Sequence, residues 1–230
     1  LYAKITRTSL RPLDHGELRD KVVEMAQKVN IHIRQVFIMP ATKLQMGNAF
    51  AVHGNMVIFT DYLLARMTKK EIDCVVAHEI GHLKHGHPLF LSVFGLLLLY
   101  SLAFSLVTVL FTILPSLVAS IGPAYYYLAQ NCSDWLGSYA VVPLSLVTAI
   151  LVYYLLSRRY ERTADEYATI VTGDPENMIS ALVKLSRMNL QPLSWTKATE
   201  SLLTHPATLR RVKSIAYRHR LPEERLNSLV

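Results

Sequence analysis

The chain has 230 residues, of which 51% are hydrophobic, and it carries a formal net charge of +7. A chain of this length forms one large domain or two small ones. Its basic residues border apolar segments and accompany no recognition motif for nucleic acid, so a basic membrane-facing side is the better interpretation. Two cysteines are too few for a disulfide scaffold, which argues against a small secreted protein. We therefore expect a lipid bilayer, and not a nucleic acid, as a partner.

The N-terminal part of the chain predicts a small unit of helices and strands. It opens at LYAKITRTSL without an initiator Met or a signal-peptide pattern, so we expect a fragment of a longer chain or a processed one. Residues 14–30 have apolar side chains at helical spacing, and residues 31–40 favour a strand. Asn48–Val52 and Met56–Thr60 then predict an antiparallel hairpin around a turn at residues 53–55.

A helix that carries the histidine cluster follows the hairpin. It is predicted to begin near Thr68, with Thr68 and Glu71 as a capping box. Cys74 is expected to be a small buried residue of this helix, unpaired with Cys132, because a long apolar segment separates the two.

Two apolar runs predict a transmembrane hairpin. Leu89–Leu114 gives 26 uncharged residues, which at about 1.5 Å per residue exceed the roughly 30 Å core of a bilayer. Residues 139–157 predict a second span, and the tyrosine-rich segment between the runs is typical of a membrane interface. The alternative is a pair of buried core helices, which a run of this length without charge disfavours.

The charges at the ends of this hairpin predict its orientation. Lys84, His85, Arg158 and Arg159 lie at its two outer ends, while the connecting loop has no Lys or Arg. By the positive-inside rule, the outer ends face the cytoplasm. His85 and His87 are expected to be surface residues beside the membrane. The remainder, residues 174–230, predicts soluble helices, one of them from about Ala207 to His219.

The segment HEIGH, His78–His82, fits the pattern H-E-x-x-H. On a helix, positions i and i+4 lie about 40° apart around the axis, so both imidazoles can bind one ion. Glu79 can reach a water at that ion as a general base. The alternative is a helix with two surface histidines.

A catalytic zinc needs a third protein ligand, and the sequence leaves one common solution. The longer metzincin pattern fails at His85 and Pro88, and the inverted motif is absent. A glutamate from a second helix remains, and Glu161 in RRYERTADEYA is the candidate. Asp165, one turn further on, could accept a hydrogen bond from the other ring nitrogen of a ligand histidine. Alternatively, these two carboxylates form a solvated face paired with arginines.

The order HEIGHLKHGH, apolar hairpin, RRYERTAD and THPATLRRV resembles the integral-membrane zinc metalloproteases of the HtpX and type I CAAX prenyl protease group. The likeness covers about residues 12–215. It implies an α+β fold: a mostly helical, zincin-like domain over residues 1–230 with a small antiparallel sheet. A transmembrane hairpin at residues 89–157 is inserted between the HExxH helix and the ExxAD helix. The subfamily stays open, because the spans that either subgroup expects before the catalytic segment are not in this sequence.

The same resemblance implies a role for each site residue. His78, His82 and Glu161 bind one zinc ion per chain, Glu79 is the base, and Asp165 supports the site. His205 and Arg211 line the active site, and NAFA at Asn48, Ala49, Phe50 and Ala51 resembles the substrate-aligning edge strand. An exposed edge strand can hold an extended peptide through main-chain hydrogen bonds, and His205 could stabilise an oxyanion as a donor. The alternative for His205 is a capping or core histidine before Pro206.

We therefore expect a multi-pass membrane-anchored zinc endopeptidase that acts on membrane-associated proteins or peptides at the cytoplasmic face. Three alternatives stay open: processing of lipidated C-terminal peptides, a non-catalytic membrane protein with a structural metal site, and a metal transporter. The hairpin has no ionisable residue within the bilayer except Asp134 near an interface, which gives a transport path little support.

Overall fold

The computed structural model of the protein describes residues 10–118, 141–201 and 203–230. It divides into two compact units, the chain up to Leu89 together with Leu156–Val230, and Phe90–Leu155. The tyrosine-rich segment, Cys132 and Asp134 fall outside the described residues. Every residue that the sequence selects for the site lies in the first unit. The division into one domain with an insertion at residues 89–157 stays a prediction.

The helices and strands follow the predicted order. The strands are β1 (Arg11–Pro12), β2 (Gln35–Met39), β3 (Ala49–Val52) and β4 (Met56–Thr60), with a short 3₁₀ turn at Thr42–Leu44. The helices are α1 (Glu17–Gln27), α2 (Asp61–Arg66), α3 (Lys69–Lys84), α4 (His87–Val118), α5 (Val141–Thr172), α6 (Pro175–Met188), α7 (Lys197–Ser201), α8 (Thr208–Arg218) and α9 (Glu223–Leu229).

The strands form a mixed sheet in the order β1-β2-β4-β3. The β3–β4 hairpin is antiparallel as predicted, but β2 and β4 run parallel, so the prediction of an antiparallel sheet is wrong. The reason lies in burial. Val57 and Phe59 of β4 are fully buried, so β4 takes an inner position beside β2. The hairpin then leaves β3 at the edge of the sheet.

Helix α3 is the centre of the first unit. Its N-terminus is closed by the predicted capping box, in which Thr68 accepts a hydrogen bond from the Glu71 N–H and Glu71 accepts one from the Thr68 N–H. One face of α3 packs on α6 and α1, and another contacts the edge strand β3. Cys74 is buried as predicted. Because α3 is surrounded in this way, His78 is buried and His82 is largely enclosed.

Glu71 also joins α3 to α6. Its carboxylate accepts hydrogen bonds from Ser180 Oγ at 2.5 Å and from Lys184 Nζ at 2.8 Å. Burial alone would raise the pKa of Glu71, but the hydrogen bonds from Lys184, Ser180 and Thr68 outweigh it, and the pKa is lowered. The carboxylate therefore stays charged although its side chain is only 3% exposed.

Helix α4 has the character of a membrane span. Among the described residues, only the segment His87–Val107 is long and apolar enough to cross a bilayer, with a mean hydropathy of 2.3. Its side chains are largely exposed, Leu96 at 66% and Leu106 at 68% for example. An apolar surface of this extent is expected to contact lipid or another protein. The second predicted span stays a prediction.

Helix α5 runs without a break from the second apolar run into the ERTAD segment. Within Phe90–Leu155, the rings of Phe94 and Tyr153 stack with their centroids 5.8 Å apart, so α4 and α5 are neighbours there. From Leu156 onward α5 belongs to the first unit, where Glu161 and Asp165 project from successive turns.

We predict that Glu71→Gln lowers the free energy of unfolding by about 1–3 kcal/mol, because a charged acceptor with three donors is replaced by a neutral one. Thermal unfolding in detergent measures the change. The pKa of Glu71 is depressed in the folded state, so its contribution is complete above the ordinary value of 4.5 and is lost as the pH falls through the folded pKa. The difference between the two proteins should therefore shrink in acid.

Glu17→Gln is the matched control. Glu17 pairs with Lys69 at 2.9 Å, but both side chains are about four-fifths exposed, and such a surface pair contributes roughly 0–1 kcal/mol. Equal losses from the two substitutions would contradict the central role of Glu71.

Candidate metal centre

His78 and His82 lie one turn apart on α3 and present the same ring nitrogen to one point. Their Nε2 atoms are 3.1 Å apart, and their ring planes are nearly perpendicular. His78 is buried and His82 is nearly so. The alternative of two surface histidines is therefore wrong. In this arrangement two nitrogen lone pairs converge, which requires a shared proton or a cation between them.

Glu161 brings a carboxylate to the same point from α5. Its Oε2 lies 3.6 Å from Nε2 of His78, and its Oε1 lies 3.5 Å from Nε2 of His82. Donor atoms of the three residues all lie within 4.8 Å of one another. The side chain is 8% exposed, so the alternative of a solvated face does not describe Glu161.

Gly81 allows the two helices to approach closely enough for this. A Cβ atom at Gly81 would lie 2.9 Å from Cδ1 of Tyr167 and 3.3 Å from Cα of Ala164. Both neighbours belong to α5, and one contact is with the backbone, which cannot rotate away. The glycine inside HEIGH is thus required by the packing of α3 on α5.

The donor set fits a zinc ion. Donors at roughly 2.0–2.1 Å from zinc with tetrahedral angles lie about 3.3 Å apart. The two Nε2 atoms are 3.1 Å apart, and with one ligand atom from each residue the three donors lie within 4.8 Å of one another. Two imidazoles and one carboxylate are also the ligand types of catalytic zinc sites. The charges agree, because the carboxylates of Glu161 and Asp165 both keep a lowered pKa and share one guanidinium, that of Arg211. A divalent cation would offset the excess negative charge.

Arg211, from α8, holds both carboxylates of α5. Its Nε and Nη2 donate to the two oxygens of Asp165 at 2.8 and 2.6 Å, a bidentate pair. Its Nη1 lies 3.1 Å from Glu161 Oε2. The guanidinium is 11% exposed, so the structure places Arg211 behind the carboxylates. Asp165 Oδ1 is also 3.1 Å from Nδ1 of His78, although that nitrogen is not aligned for a hydrogen bond.

These contacts set the protonation of the cluster. Burial would raise the pKa of Glu161, but Arg211 and His205 hold it well below its ordinary value. Burial would likewise raise the pKa of Asp165, and Arg211 lowers it. Burial lowers the pKa of His82 to about 3, and the charge of His78 adds to the effect. His82 is therefore neutral, as a metal ligand must be.

Glu79 is buried beside this cluster and contacts the edge strand. Its Oε2 accepts a hydrogen bond from the Ala51 N–H at 2.6 Å. Burial raises the pKa of Glu79 above its ordinary value, and the charge of Glu161 adds to this, while His78 opposes it. A carboxylate with a raised pKa is the stronger base at neutral pH, which suits general base catalysis.

The predicted substrate strand, residues 48–51, overlaps β3, the edge strand of the sheet that the described residues form. The N–H of Ala51 points away from β4 toward Glu79, and the N–H of Ala49 is bonded to Oδ1 of Asn48 at 2.9 Å. Asn48 itself is fixed by Thr60, whose N–H and hydroxyl both donate to its carbonyl. Phe50 is 38% exposed. The outward groups of this strand thus lie next to Glu79.

His205 reaches the cluster from the segment before α8. Its Nδ1 lies 3.0 Å from Glu161 Oε1, and its side chain is 65% exposed. Three hydrogen bonds fix this segment: Glu200 accepts one from the Ala207 N–H, and Arg158 donates to the carbonyls of Glu200 and Leu203. The alternative of a core histidine is wrong, because His205 faces solvent.

Three of the predicted residues border one cavity of about 320 Å³. Asn48, His205 and Arg211 line it together with apolar side chains, among them Leu182, Leu185 and Trp195. Asn48 comes from the edge strand, whereas His205 and Arg211 come from the C-terminal segments. The structure thus joins the substrate-strand candidate to the other site candidates.

The sequence interpretation missed His87 and Arg158. His87 was expected at the surface, but it is 3% exposed, because its ring packs between aromatic side chains. His85 is exposed as expected. The only signal for His87 was its place in a dense histidine cluster. Arg158 was interpreted as a membrane-side charge, and its contact with the His205 segment had no signal in the sequence.

Comparison with known proteins agrees with this geometry. A family model described as "Peptidase family M48" matches residues 12–219. A "Protease HtpX homolog" of Campylobacter concisus is 28% identical over 74% of this chain and 56% of its own length. A "CAAX prenyl protease 1 homolog" of Arabidopsis thaliana is 26% identical over 89% of this chain and 48% of its own length.

A solved structure shares the fold. The crystal structure of Ste24p from S. mikatae matches 94% of this chain with a TM-score of 0.69 at 23% identity, and the match covers 54% of that chain. The chain therefore spans about half the length of each of these three proteins.

We predict that Gly81→Ala weakens both zinc binding and stability. Alanine improves helix propensity by about 1 kcal/mol, but overpacking against α5 costs about 1–3 kcal/mol and moves the ligands apart. Zinc affinity and thermal unfolding measure the two effects. Gly95→Ala is the control, because a Cβ there meets no atom within 4 Å. A wild-type zinc affinity in Gly81→Ala would show that the close approach is not needed.

We also predict that Glu161→Gln lowers zinc affinity by more than about 100-fold. Removing a hydrogen-bond partner of a metal ligand already costs about 10–100-fold in affinity, and removing a ligand should cost more. Metal content after dialysis against a chelator measures it. Glu166→Gln, on the exposed side of the same helix where Glu166 pairs with Arg218, should keep the metal. An unchanged zinc content in Glu161→Gln would show that Glu161 is not a zinc ligand.

Proposed function

This chain belongs to peptidase family M48, and from that premise we propose that it is a membrane-anchored, zinc-dependent endopeptidase. The observation that carries the proposal is the buried cluster of His78, His82 and Glu161, with Glu79 hydrogen-bonded to the neighbouring edge strand. His78, His82 and Glu161 would hold one zinc ion per chain. When bound there, zinc would polarise the scissile carbonyl and make a water more acidic.

The substrate peptide binds in extended form along β3. Within the described residues β3 is the edge strand of the sheet. Its outward N–H groups at Ala49 and Ala51 are bonded to the side chains of Asn48 and Glu79, and an added strand can replace these acceptors. The apolar wall of the cavity beside Asn48 suits one side chain of the peptide near the scissile bond. Main-chain pairing gives affinity for any sequence, whereas the cavity gives preference for an apolar side chain.

Glu79 moves the proton. It removes a proton from the attacking water and then delivers it to the leaving amine, so that one carboxylate serves as base and as acid. Its burial raises its pKa, which favours both roles. His205 lies at the solvent side of Glu161 and donates a hydrogen bond to the oxyanion that forms on the substrate. Arg211 keeps Glu161 and Asp165 charged and in place.

The membrane determines which substrates are available. We place two spans, residues 89–114 and 139–157, in the bilayer and the site on the cytoplasmic side, as Lys84 and Arg159 at the ends of the hairpin indicate. The long exposed apolar helix α4 supports this anchoring. Substrates are then proteins or peptides held at the same membrane.

A second candidate is processing of lipidated C-terminal peptides. It is favoured by the relative named "CAAX prenyl protease 1 homolog", whose identity to this chain is close to that of the HtpX homolog. The two candidates share the chemistry and differ in the substrate. A non-catalytic metal site is disfavoured, because a structural site does not need a buried base beside the ligands.

We predict that Glu79→Gln abolishes proteolysis and keeps the zinc. The amide oxygen can still accept the Ala51 hydrogen bond, but the side chain can no longer take up a proton, so the rate should fall by about 10²–10⁴-fold. Cleavage of casein by the detergent-solubilised, zinc-loaded protein measures the rate, and metal analysis measures the zinc.

Glu166→Gln and a chelator-treated sample are the controls for this experiment. The first should cleave as the wild type does, and the second should be inactive. Full activity of Glu79→Gln with zinc bound would exclude the mechanism. If the wild type binds zinc but leaves casein intact, a prenylated peptide tests the second candidate.

A further inference from the structure

His87 is a buried histidine with no role in the mechanism above. It is the first residue of α4, and its side chain is enclosed although its neighbours His85 and Gly86 are exposed. Its Nδ1 lies 2.8 Å from Nδ1 of His82. This is a hydrogen-bond distance between two imidazoles, and it joins His87 to the ring nitrogen of His82 that faces away from Glu161.

Aromatic packing fixes the plane of the His87 ring. The ring stacks on Tyr160 with a centroid distance of 4.1 Å and an interplanar angle of 15°. The His87 ring also stacks on His85, with a centroid distance of 5.3 Å and an interplanar angle of 19°. Tyr160 directly precedes Glu161 on α5, so the stack also ties His87 to the helix that supplies the carboxylate.

The direction of the hydrogen bond follows from the chemistry of His82. The Nε2 atom of His82 faces His78 and Glu161, so this nitrogen must offer its lone pair to a metal. A neutral imidazole then carries its proton on Nδ1. That N–H points at Nδ1 of His87, which has to accept, and the proton of the neutral His87 ring is therefore on Nε2.

We propose that His87 is a positioning residue for the metal centre: it accepts the Nδ1–H hydrogen bond of His82 and so holds Nε2 of His82 toward His78 and Glu161. Metal-binding histidines generally depend on a partner at the second nitrogen, and losing it costs 10–100-fold in affinity or activity. The inference rests on zinc binding in the proposed function but not on the identity of the substrate.

The two proposed histidine ligands then differ in the group that lies beside Nδ1. Nδ1 of His78 lies beside the Asp165 carboxylate, whereas Nδ1 of His82 meets a neutral imidazole. A carboxylate close to an imidazole raises its basicity through its negative charge, more than a neutral ring does. His78 is thus the stronger donor to the metal, and His82 depends on its fixed orientation.

Two substitutions separate the hydrogen bond from the packing. His87→Asn places the amide oxygen near the position of Nδ1 and keeps an acceptor, but loses the ring. His87→Phe keeps a ring to stack on Tyr160, but has no acceptor. Zinc affinity is measured in detergent by competition with a chromophoric chelator, and the visible spectrum of the cobalt-substituted protein reports on ligand geometry. Casein cleavage gives kcat and KM separately.

We expect His87→Phe to weaken zinc binding by 10–100-fold, to change the cobalt spectrum and to lower kcat with little change in KM. His87→Asn should stay within about threefold of the wild type in zinc affinity. A wild-type affinity in His87→Phe, or an equal loss in both variants, overturns the proposal in favour of packing alone.

A measurement on the unsubstituted protein covers the case in which a variant does not fold. Nitrogen chemical shifts of the histidine rings in the zinc-loaded chain should show His87 protonated on Nε2 and bare on Nδ1. The opposite tautomer overturns the proposal. If the wild type binds no zinc, both this inference and the proposed function fail, whereas zinc binding without cleavage of any substrate contradicts the proposed function alone.

Discussion

Helices α3 and α5 approach each other at Gly81, where a single methyl group would collide with the backbone of Ala164 and the ring of Tyr167. Two of the proposed ligands come from the first helix and one from the second, so the separation of these helices sets the separation of the three side chains. A carboxylate side chain cannot compensate for a shift of a whole helix. The packing of two apolar helix faces therefore determines the geometry of a polar site.

The packing of α3 on α5 buries two carboxylates of α5, and a buried negative charge needs a positive partner. Glu161 and Asp165 are one turn apart and both buried, so they would repel each other without Arg211. The guanidinium binds both of them from α8. Arg211 thus joins the C-terminal helix to the centre of the unit, and the same contact keeps Glu161 charged for a metal.

The sequence predicted those parts of the site that depend on local geometry. The i, i+4 spacing of His78 and His82 and the capping box at Thr68 follow from helix periodicity, and the structure contains both. The position of β4 between β2 and β3 could not be predicted, because an alternating pattern gives the faces of a strand and not its neighbours. Glu161 was chosen by eliminating other ligand patterns and by the family resemblance of its segment, because helix periodicity alone does not relate it to the histidines.

The errors have the same origin. His87 looked like a surface residue because it precedes an apolar run, whereas its burial depends on Tyr160, more than 70 positions later in the chain. The role of Arg211 behind the carboxylates depends equally on contacts between distant segments. Residue type and spacing reveal the chemistry that a side chain can perform, but its partners depend on how the helices pack.

The hydrogen bond between the Ala51 N–H and Glu79 has a consequence for selectivity. Under the proposed binding mode, a peptide that pairs with Ala51 has to take this N–H from the carboxylate, so at this position substrate binding would exchange one acceptor for another and add no hydrogen bond. Until the exchange occurs, the base is occupied, and its affinity for a proton is reduced. In the proposed mechanism, full activation of water would then coincide with the arrival of an extended chain, and molecules that cannot add a strand would leave the carboxylate bound to Ala51.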